Sequence, residues 1–260
     1  MSRYETIRIE SEPNGMRRLV MDRPPVNALG RVLVDEMTDA LAALSSDDDA
    51  RCLILISAGK HFCAGADLKE RKTMTVDDVR AFVPKLAGVC EGLAALPFPS
   101  IAAVSGVAAG GGCELALACD FRVLAESSKI GLRETALAII PGAGGTQRLP
   151  RLVGAAVAKR WIFTAELFSA EAALRDGVAQ LVATDDGLAD EANRVAGLIC
   201  ANGPVAIRLA KQAIELGLDL PLQEALALEW ERYQKVLETH DRTEALAAFA
   251  EKRPPRFEGR

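Results

Sequence analysis

The stretch from Gly110 to Cys119 limits what this chain can fold into more than any other. It opens on Gly110-Gly111-Gly112, and apart from Glu114 every residue in it is small or apolar. That pattern predicts a helix buried on all sides rather than one with a wet face. A lone carboxylate in such a helix is costly unless it is paired, hydrogen-bonded or used. Glycines at a helix start let a ligand approach the first free amides, and the helix dipole favours negative charge there. The glycines are bunched and no Lys-Ser/Thr follows, so neither a Walker A loop nor a GxGxxG phosphate loop fits. Glu114 reads either as a structural glutamate bonded to nearby backbone or as a site residue.

Burying such a helix needs a sizeable core. The chain has 260 residues, half of them hydrophobic, which allows one large domain or a domain with a smaller appendage. The net charge of −5 makes general nucleic-acid binding a poor expectation. The N-terminus has no apolar signal core, and no apolar run approaches the roughly 18 residues of a membrane span. Cys52, Cys63, Cys90, Cys113, Cys119 and Cys200 are scattered without a CxxC pair, so neither a zinc site nor a disulfide framework is expected. Free thiols fit a reducing, cytoplasmic compartment. His61 and His240 are the only histidines, which excludes a metal centre with three histidines.

Strand and helix patterns alternate through the first half. Runs at 6–10 and 16–21 flank Pro13-Asn14-Gly15, a strong signal for an opening β-hairpin. Apolar spacing predicts a helix over 32–44, and the apolar run at 52–56 reads as a buried strand. A second helix is predicted over 76–96, with Thr75 as N-cap, kinked or split at Pro84 and ended by Pro97 and Pro99. Strands follow at 101–104, 121–124 and 128–130 around the 110–119 helix, an α/β layer arrangement. Beyond about Asp185 only helices are read, over 187–201, 204–216, 222–237 and 242–250, with amphipathic faces suited to a partner subunit. The tail, Lys252 to Phe257, is basic and contains prolines.

Two further segments carry chemistry. Gly59 to Glu70 follows a strand with small residues whose amides suit an anionic oxygen. Gly131 to Leu149 brings a second glutamate, Glu134, and a glycine-rich turn into a helix from about Thr146. With imidazole scarce, Glu114 and Glu134 form a candidate carboxylate pair, able to divide acid and base roles if their environments differ.

Together, Ala64-Gly65-Ala66-Asp67-Leu68-Lys69, Gly110 to Glu114 and Pro141-Gly142-Ala143-Gly144-Gly145-Thr146-Gln147-Arg148-Leu149 resemble the enoyl-CoA hydratase/isomerase (crotonase) superfamily, over nearly the whole chain. Ala64 to Arg71, Phe82-Val83, Leu137 to Pro141 and Glu251 to Phe257 resemble the 3-methylglutaconyl-CoA hydratase, or AU-rich-RNA-binding, branch most. The resemblance implies an α/β fold, a ClpP-like crotonase superhelix of ββα units over residues 1–195, with a helical C-terminal trimerisation region over 196–260. It implies homotrimers, commonly paired into hexamers. It implies an oxyanion hole from the backbone amides of Ala66 and Gly111, and catalytic roles for Glu114 and Glu134 in hydrating a 2-enoyl-CoA. The Gly142 amide is implied to position the water.

CoA contacts are implied for Ala64, Ala66, Asp67, Leu68 and Lys69, for Arg23, Pro25 and Val26, and for Lys252 and Phe257 of a tail reaching a neighbouring subunit. Coenzyme A is then part of the substrate, and no metal or redox cofactor is implied. Pathways expected are fatty-acid oxidation or, as the alternative, leucine breakdown. Double-bond isomerisation is disfavoured because branches that isomerise usually lack one glutamate. RNA binding is disfavoured because residues 27–50 hold Arg31 as their one cation against Asp35, Glu36, Asp39, Asp47, Asp48 and Asp49.

Overall fold

The computed structural model of the chain describes residues 3–260. Strands β1 (Ile7–Ser11) and β2 (Met16–Met21) pair antiparallel as the expected hairpin. They are followed by α1 (Arg31–Ser45), β3 (Cys52–Ser57), α2 (Leu68–Thr73) and α3 (Val76–Ala94). Next come β4 (Ser100–Val104), β5 (Val107–Ala109), α4 (Gly111–Ala118), β6 (Phe121–Ala125), β7 (Lys129–Gly131) and a 3-10 turn over Glu134–Leu137. The second half contains α5 (Gly145–Val153), α6 (Ala155–Thr164), β8 (Phe168–Ser169), α7 (Ala170–Arg175), β9 (Leu181–Ala183), α8 (Leu188–Cys200), α9 (Pro204–Gly217), α10 (Leu222–Leu237) and α11 (His240–Glu251).

The strands divide into two sheets. One has the order β1-β2-β3-β4-β6-β9, parallel from β2 onward, and the other the order β5-β7-β8. The chain visits both in each unit: β4 then β5 then α4, and β6 then β7 then α5. The first unit follows the same path, because the segment after β3 touches the second sheet at a parallel bridge between Cys63 and Ala108. This is the superhelix of ββα units that the family resemblance implies.

Period-two alternation explains why the larger sheet is buried on both faces. Leu53, Leu55, Ala102, Val104 and Leu124 enter the main core, while Cys52, Ile54, Ile101, Ala103 and Val123 face a second one. Helix α8 closes that second core with Leu188, Ala192, Ala196 and Cys200, one residue per turn. Residue 195 lies inside this helix, which packs on the sheet along its whole length.

Helix α3 begins at Thr75 with a reciprocal capping box to Asp78. Of the kink or split expected at Pro84, the split does not occur: the helix runs as one element to Ala94. Phe82, Leu86, Val89, Cys90 and Leu93 anchor it in the core on both sides of the proline, which outweighs the one backbone bond the proline cannot make. The strands β8 and β9 have two and three residues, too short for a sequence pattern to reveal.

Beneath the sheet, Lys211 of α9 donates to Asp120 Oδ2 at 2.9 Å and to the Phe98 carbonyl at 3.3 Å. Asp120 also accepts from the Ser100 amide at 2.7 Å, a structural role. Helix α10 buries none of its residues, and Leu222, Leu226, Trp230 and Tyr233 stand exposed on it. Among the described residues no helix is long and apolar enough to cross a membrane.

Arg122, 3% exposed, staples the sheet to the end of α4. It donates to the carbonyls of Cys119 (2.7 Å), Ala116 (3.2 Å) and Val178 (2.6 Å), and to Gln180 Oε1 (2.9 Å). Removing the guanidinium strands buried acceptors. Arg122→Met is expected to lower stability by about 3 kcal/mol in urea denaturation; a loss under about 1 kcal/mol would refute the staple.

Candidate active site

The site forms at the carboxyl ends of the parallel strands, where β3, β4 and β6 deliver their loops, the usual place for ligands in parallel sheets. The loop after β3 is held from two sides. Toward β5, the Cys63 amide donates to the Val107 carbonyl (3.0 Å) and the Ala109 amide to the Cys63 carbonyl (2.9 Å). Toward the segment before α1, the Ala64 amide donates to Val26, the Leu29 amide to Gly65 (2.8 Å) and the Asp67 amide to Leu29 (3.1 Å). Asn27, 3% exposed and at φ +50°, pins the arrangement: its Nδ2 reaches Ser57 Oγ (2.8 Å) and the carbonyls of His61 (3.0 Å) and Phe62 (3.1 Å).

This framework aims two amides. The Gly65 carbonyl turns to Leu29, so the Ala66 N–H, in the same trans peptide, points the opposite way. Gly65 needs its glycine: at φ +91°, a β-carbon there would stand 2.6 Å from the Ala109 carbonyl oxygen and 3.5 Å from the Gly111 nitrogen. The Ala66 and Gly111 segments are therefore in contact. Gly111 opens α4, where the first amides have no intrahelical acceptor. Neither the Ala66 nor the Gly111 amide donates to an acceptor among the described residues.

Helix α4 is buried at every position, as its composition predicts, and Glu114 is 2% exposed. Its Oε1 accepts from the amides of Ala143 (2.7 Å) and Gly145 (2.9 Å) in the glycine-rich turn before α5. Burial pushes its carboxyl above the usual range, opposed by those two amides and by the Arg148 charge.

Glu134 enters from the 3-10 turn. Its Oε1 lies against Gly110, 2.9 Å from where a β-carbon would stand, and its buried Oε2 has no hydrogen-bond partner. Burial first, and then the nearby Glu114 charge, raise it to about 7. The structure thus brings the two glutamates into electrostatic contact and gives them different surroundings. Gly142 is exposed and precedes Ala143, whose amide holds Glu114.

The other implied contacts divide. Arg23, Val26, Ala64, Asp67, Leu68 and Lys69 gather at one rim of the loop. Ala64, Leu68 and Lys69 are exposed there, as is Pro25. Arg23 and Asp67 already serve the fold: Arg23 donates to the Ala28 carbonyl and to Asp67 Oδ2, both at 2.7 Å, while Asp67 caps α2. Lys252 and Phe257 are not brought to this site within the chain. The Phe257 carbonyl accepts from Arg51 (2.7 Å), just before β3, at the opposite end of the sheet.

Cys63 and Cys113 are fully buried fillers, and burial pushes the Cys63 thiol up to about 12. Sequence reasoning passed over Leu29, Asn27 and Arg148. Asn at a left-handed position was the one local signal available, since Asn tolerates it better than most residues. Among the described residues no group of three His, Cys, Asp or Glu could hold a metal ion.

Comparison with known proteins shows the family and the fold. The enoyl-CoA hydratase/isomerase family model matches residues 11–260. The mitochondrial methylglutaconyl-CoA hydratase of Mus musculus is 46% identical over 257 residues, covering 96% of this chain and 82% of that protein. The mitochondrial enoyl-CoA hydratase domain-containing protein 2 of the same species is 45% identical over 255 residues, covering 95% and 86%. Among solved structures, an enoyl-CoA hydratase from Bacillus anthracis superposes with a TM-score of 0.96 at 43% identity, covering 98% of this chain and 100% of that one. The chain belongs to the enoyl-CoA hydratase/isomerase (crotonase) family.

Proposed function

We propose that the protein adds water reversibly across the C2=C3 bond of a 2-enoyl-CoA, giving a 3-hydroxyacyl-CoA. The observation that carries this reading is the glutamate pair beside two unpaired amides. One glutamate accepts from two backbone N–H groups that oppose the upward push of burial on its carboxyl, and the other, without such amides on its buried oxygen, is raised to about 7.

The chemistry follows from that division. The thioester oxygen accepts from the Ala66 and Gly111 amides, which stabilise the enolate as charge develops, each donor being worth about 3 kcal/mol. Glu114 takes a proton from water as its oxygen bonds to C3. Glu134 delivers its proton to C2. The Gly142 amide orients the water. The pair ends with its proton moved from Glu134 to Glu114, ready for the reverse reaction. No electrons are exchanged with a cofactor, so none is called for. Ala64, Leu68, Lys69, Pro25 and Val26 offer the rim for the CoA, with Arg23 and Asp67 shaping it.

Glu114→Gln and Glu134→Gln are each expected to lower kcat at least about 1000-fold while circular dichroism stays native; near-normal turnover by either would remove its role. Hydration needs Glu134 protonated, so kcat/KM for hydration is expected to fall as pH rises past about 7. The coupled pair sets that limb jointly. Stability has the same sign: a raised carboxyl pKa contributes stability below the usual 4.5 that is lost as pH climbs to about 7. Glu134→Gln should flatten that loss in pH-dependent denaturation.

Substrate branching is the finer question. The likeness to a methylglutaconyl-CoA hydratase favours a second reading, hydration of a branched dicarboxylic enoyl-CoA in leucine breakdown, beside straight-chain fatty-acid oxidation. Coupled assays comparing crotonyl-CoA with 3-methylglutaconyl-CoA decide it; a large preference for crotonyl-CoA eliminates the leucine reading.

We also place the protein in a homotrimer or a hexamer of paired trimers, in the cytoplasm. The exposed apolar side chains of α9, α10 and α11 support assembly, Phe249 being 86% exposed. The expected mass by light scattering is three or six times that of the chain, and a monomer at micromolar concentration overturns it. Within an assembly, Lys252 and Phe257 would serve a neighbour's CoA. Six buried, unpaired cysteines support a reducing compartment. RNA binding remains disfavoured: on α1, Arg31 pairs with Asp78, while Asp35, Glu36 and Asp39 add negative charge.

A further inference from the structure

Glu114 depends on the Ala143–Gly145 turn for both of its hydrogen bonds, and that turn has a second occupant. Arg148, one helical turn into α5, folds its side chain back and donates from Nη1 to the Ala143 carbonyl at 2.9 Å. Its guanidinium lies across Gly144, where any β-carbon would collide with it. Gly144 is at φ +104°, a conformation that favours glycine for a separate reason. The turn is therefore clasped from two directions. Its Ala143 and Gly145 amides face the Glu114 carboxylate, and its Ala143 carbonyl faces the Arg148 cation. The Arg148 amide also donates to the Gly144 carbonyl at 2.8 Å, so backbone and side chain of one residue close the same loop.

We propose that Arg148 is a positioning residue for hydration: its guanidinium holds the Ala143–Gly145 turn in the form whose two amides keep Glu114 oriented as the base. This deepens the hydratase reading above and rests on it.

The charges facing Glu114 make the effect readable. Glu134 from the 3-10 turn is the other carboxylate. Cys90 from α3 and Cys113 on α4 present buried thiols, whose pKa values are raised and which stay neutral. Arg148 is the cation of this set, and its charge lowers the Glu114 carboxyl. A guanidinium at a carbonyl also has a fixed planar shape that an ammonium lacks, so lysine keeps the charge and loses part of the geometry.

The test uses the full chain with Arg148→Met and Arg148→Lys. Carbon-13 NMR of glutamate carboxyls, assigned through Glu114→Gln, reads the Glu114 titration whether or not the enzyme turns over. In Arg148→Met the Glu114 pKa is expected to rise, because the turn amides lose their clasp and a nearby cation is gone. The acidic limb of the kcat profile should move up with it, kcat should fall at least about 10-fold and KM should stay within about 2-fold, the pattern of a lost transition-state interaction. Arg148→Lys should recover part of the pKa and less of kcat.

A Glu114 titration unchanged in Arg148→Met, with kcat within about 2-fold of the parent, overturns the proposal. So does a uniform loss of kcat in both variants with no movement of either limb or titration, which marks a purely structural role. If the parent fails to hydrate any enoyl-CoA, the hydratase reading fails, while the NMR titration still decides whether Arg148 governs Glu114. Should Arg148→Met not fold, Arg148→Lys carries the same comparison.

Discussion

One carboxylate oxygen, Glu114 Oε1, joins the two halves of the candidate site. It accepts from Ala143 and Gly145, so it ties the central buried helix to a turn some thirty positions later. A carboxylate at this depth would be strongly destabilising without such partners. The two amides meet that need and at the same time orient the group. On the proposed reading the contact that satisfies Glu114 is also the one that orients it as the base, so a structural and a catalytic Glu114 are not exclusive alternatives.

Around this contact the fold repeats a simple device. Each ββα unit leaves the larger sheet, touches the smaller one and turns into a helix. The first two units place their turning points side by side, at Gly65 and Gly111, which brings two amides together from segments far apart in the chain. The third unit supplies Glu134 and the clasped turn. Arg122 and Lys211 then fix the sheet to α4 and α9 with buried cations that point at carbonyls and one carboxylate. These are rigid supports placed away from the reacting atoms, which is what a preorganised site requires.

The legible features were those written in local pattern. The hairpin at Asn14-Gly15, the cap at Thr75, the alternating strands and the four C-terminal helices all rest on neighbours within a turn or two. At Pro84 the helix is not split because propensity is weaker than burial of a long apolar face. The short strands β8 and β9 went unread because two or three residues carry little pattern of their own. Asn27 and Leu29 were passed over because the partners that fix the loop, Ser57 to Asp67, lie thirty or more residues away and no spacing announces them.

By itself the sequence determined that α4 must be buried, that a carboxylate sits inside it, that imidazole and metal chemistry had few residues to draw on, and that motif runs resemble one family. Those facts depend on composition and short-range periodicity. Only the tertiary structure decided that the Ala66 and Gly111 amides come together without acceptors, that Glu134 is raised to about 7 by burial beside Glu114, that Arg148 clasps the turn, and that Phe257 of the tail lies at the far end of the sheet in its own chain. The reason is physical: each of these depends on which distant segments the sheets bring into contact, and a hydrogen bond or a desolvated charge exists only once both sides are in place.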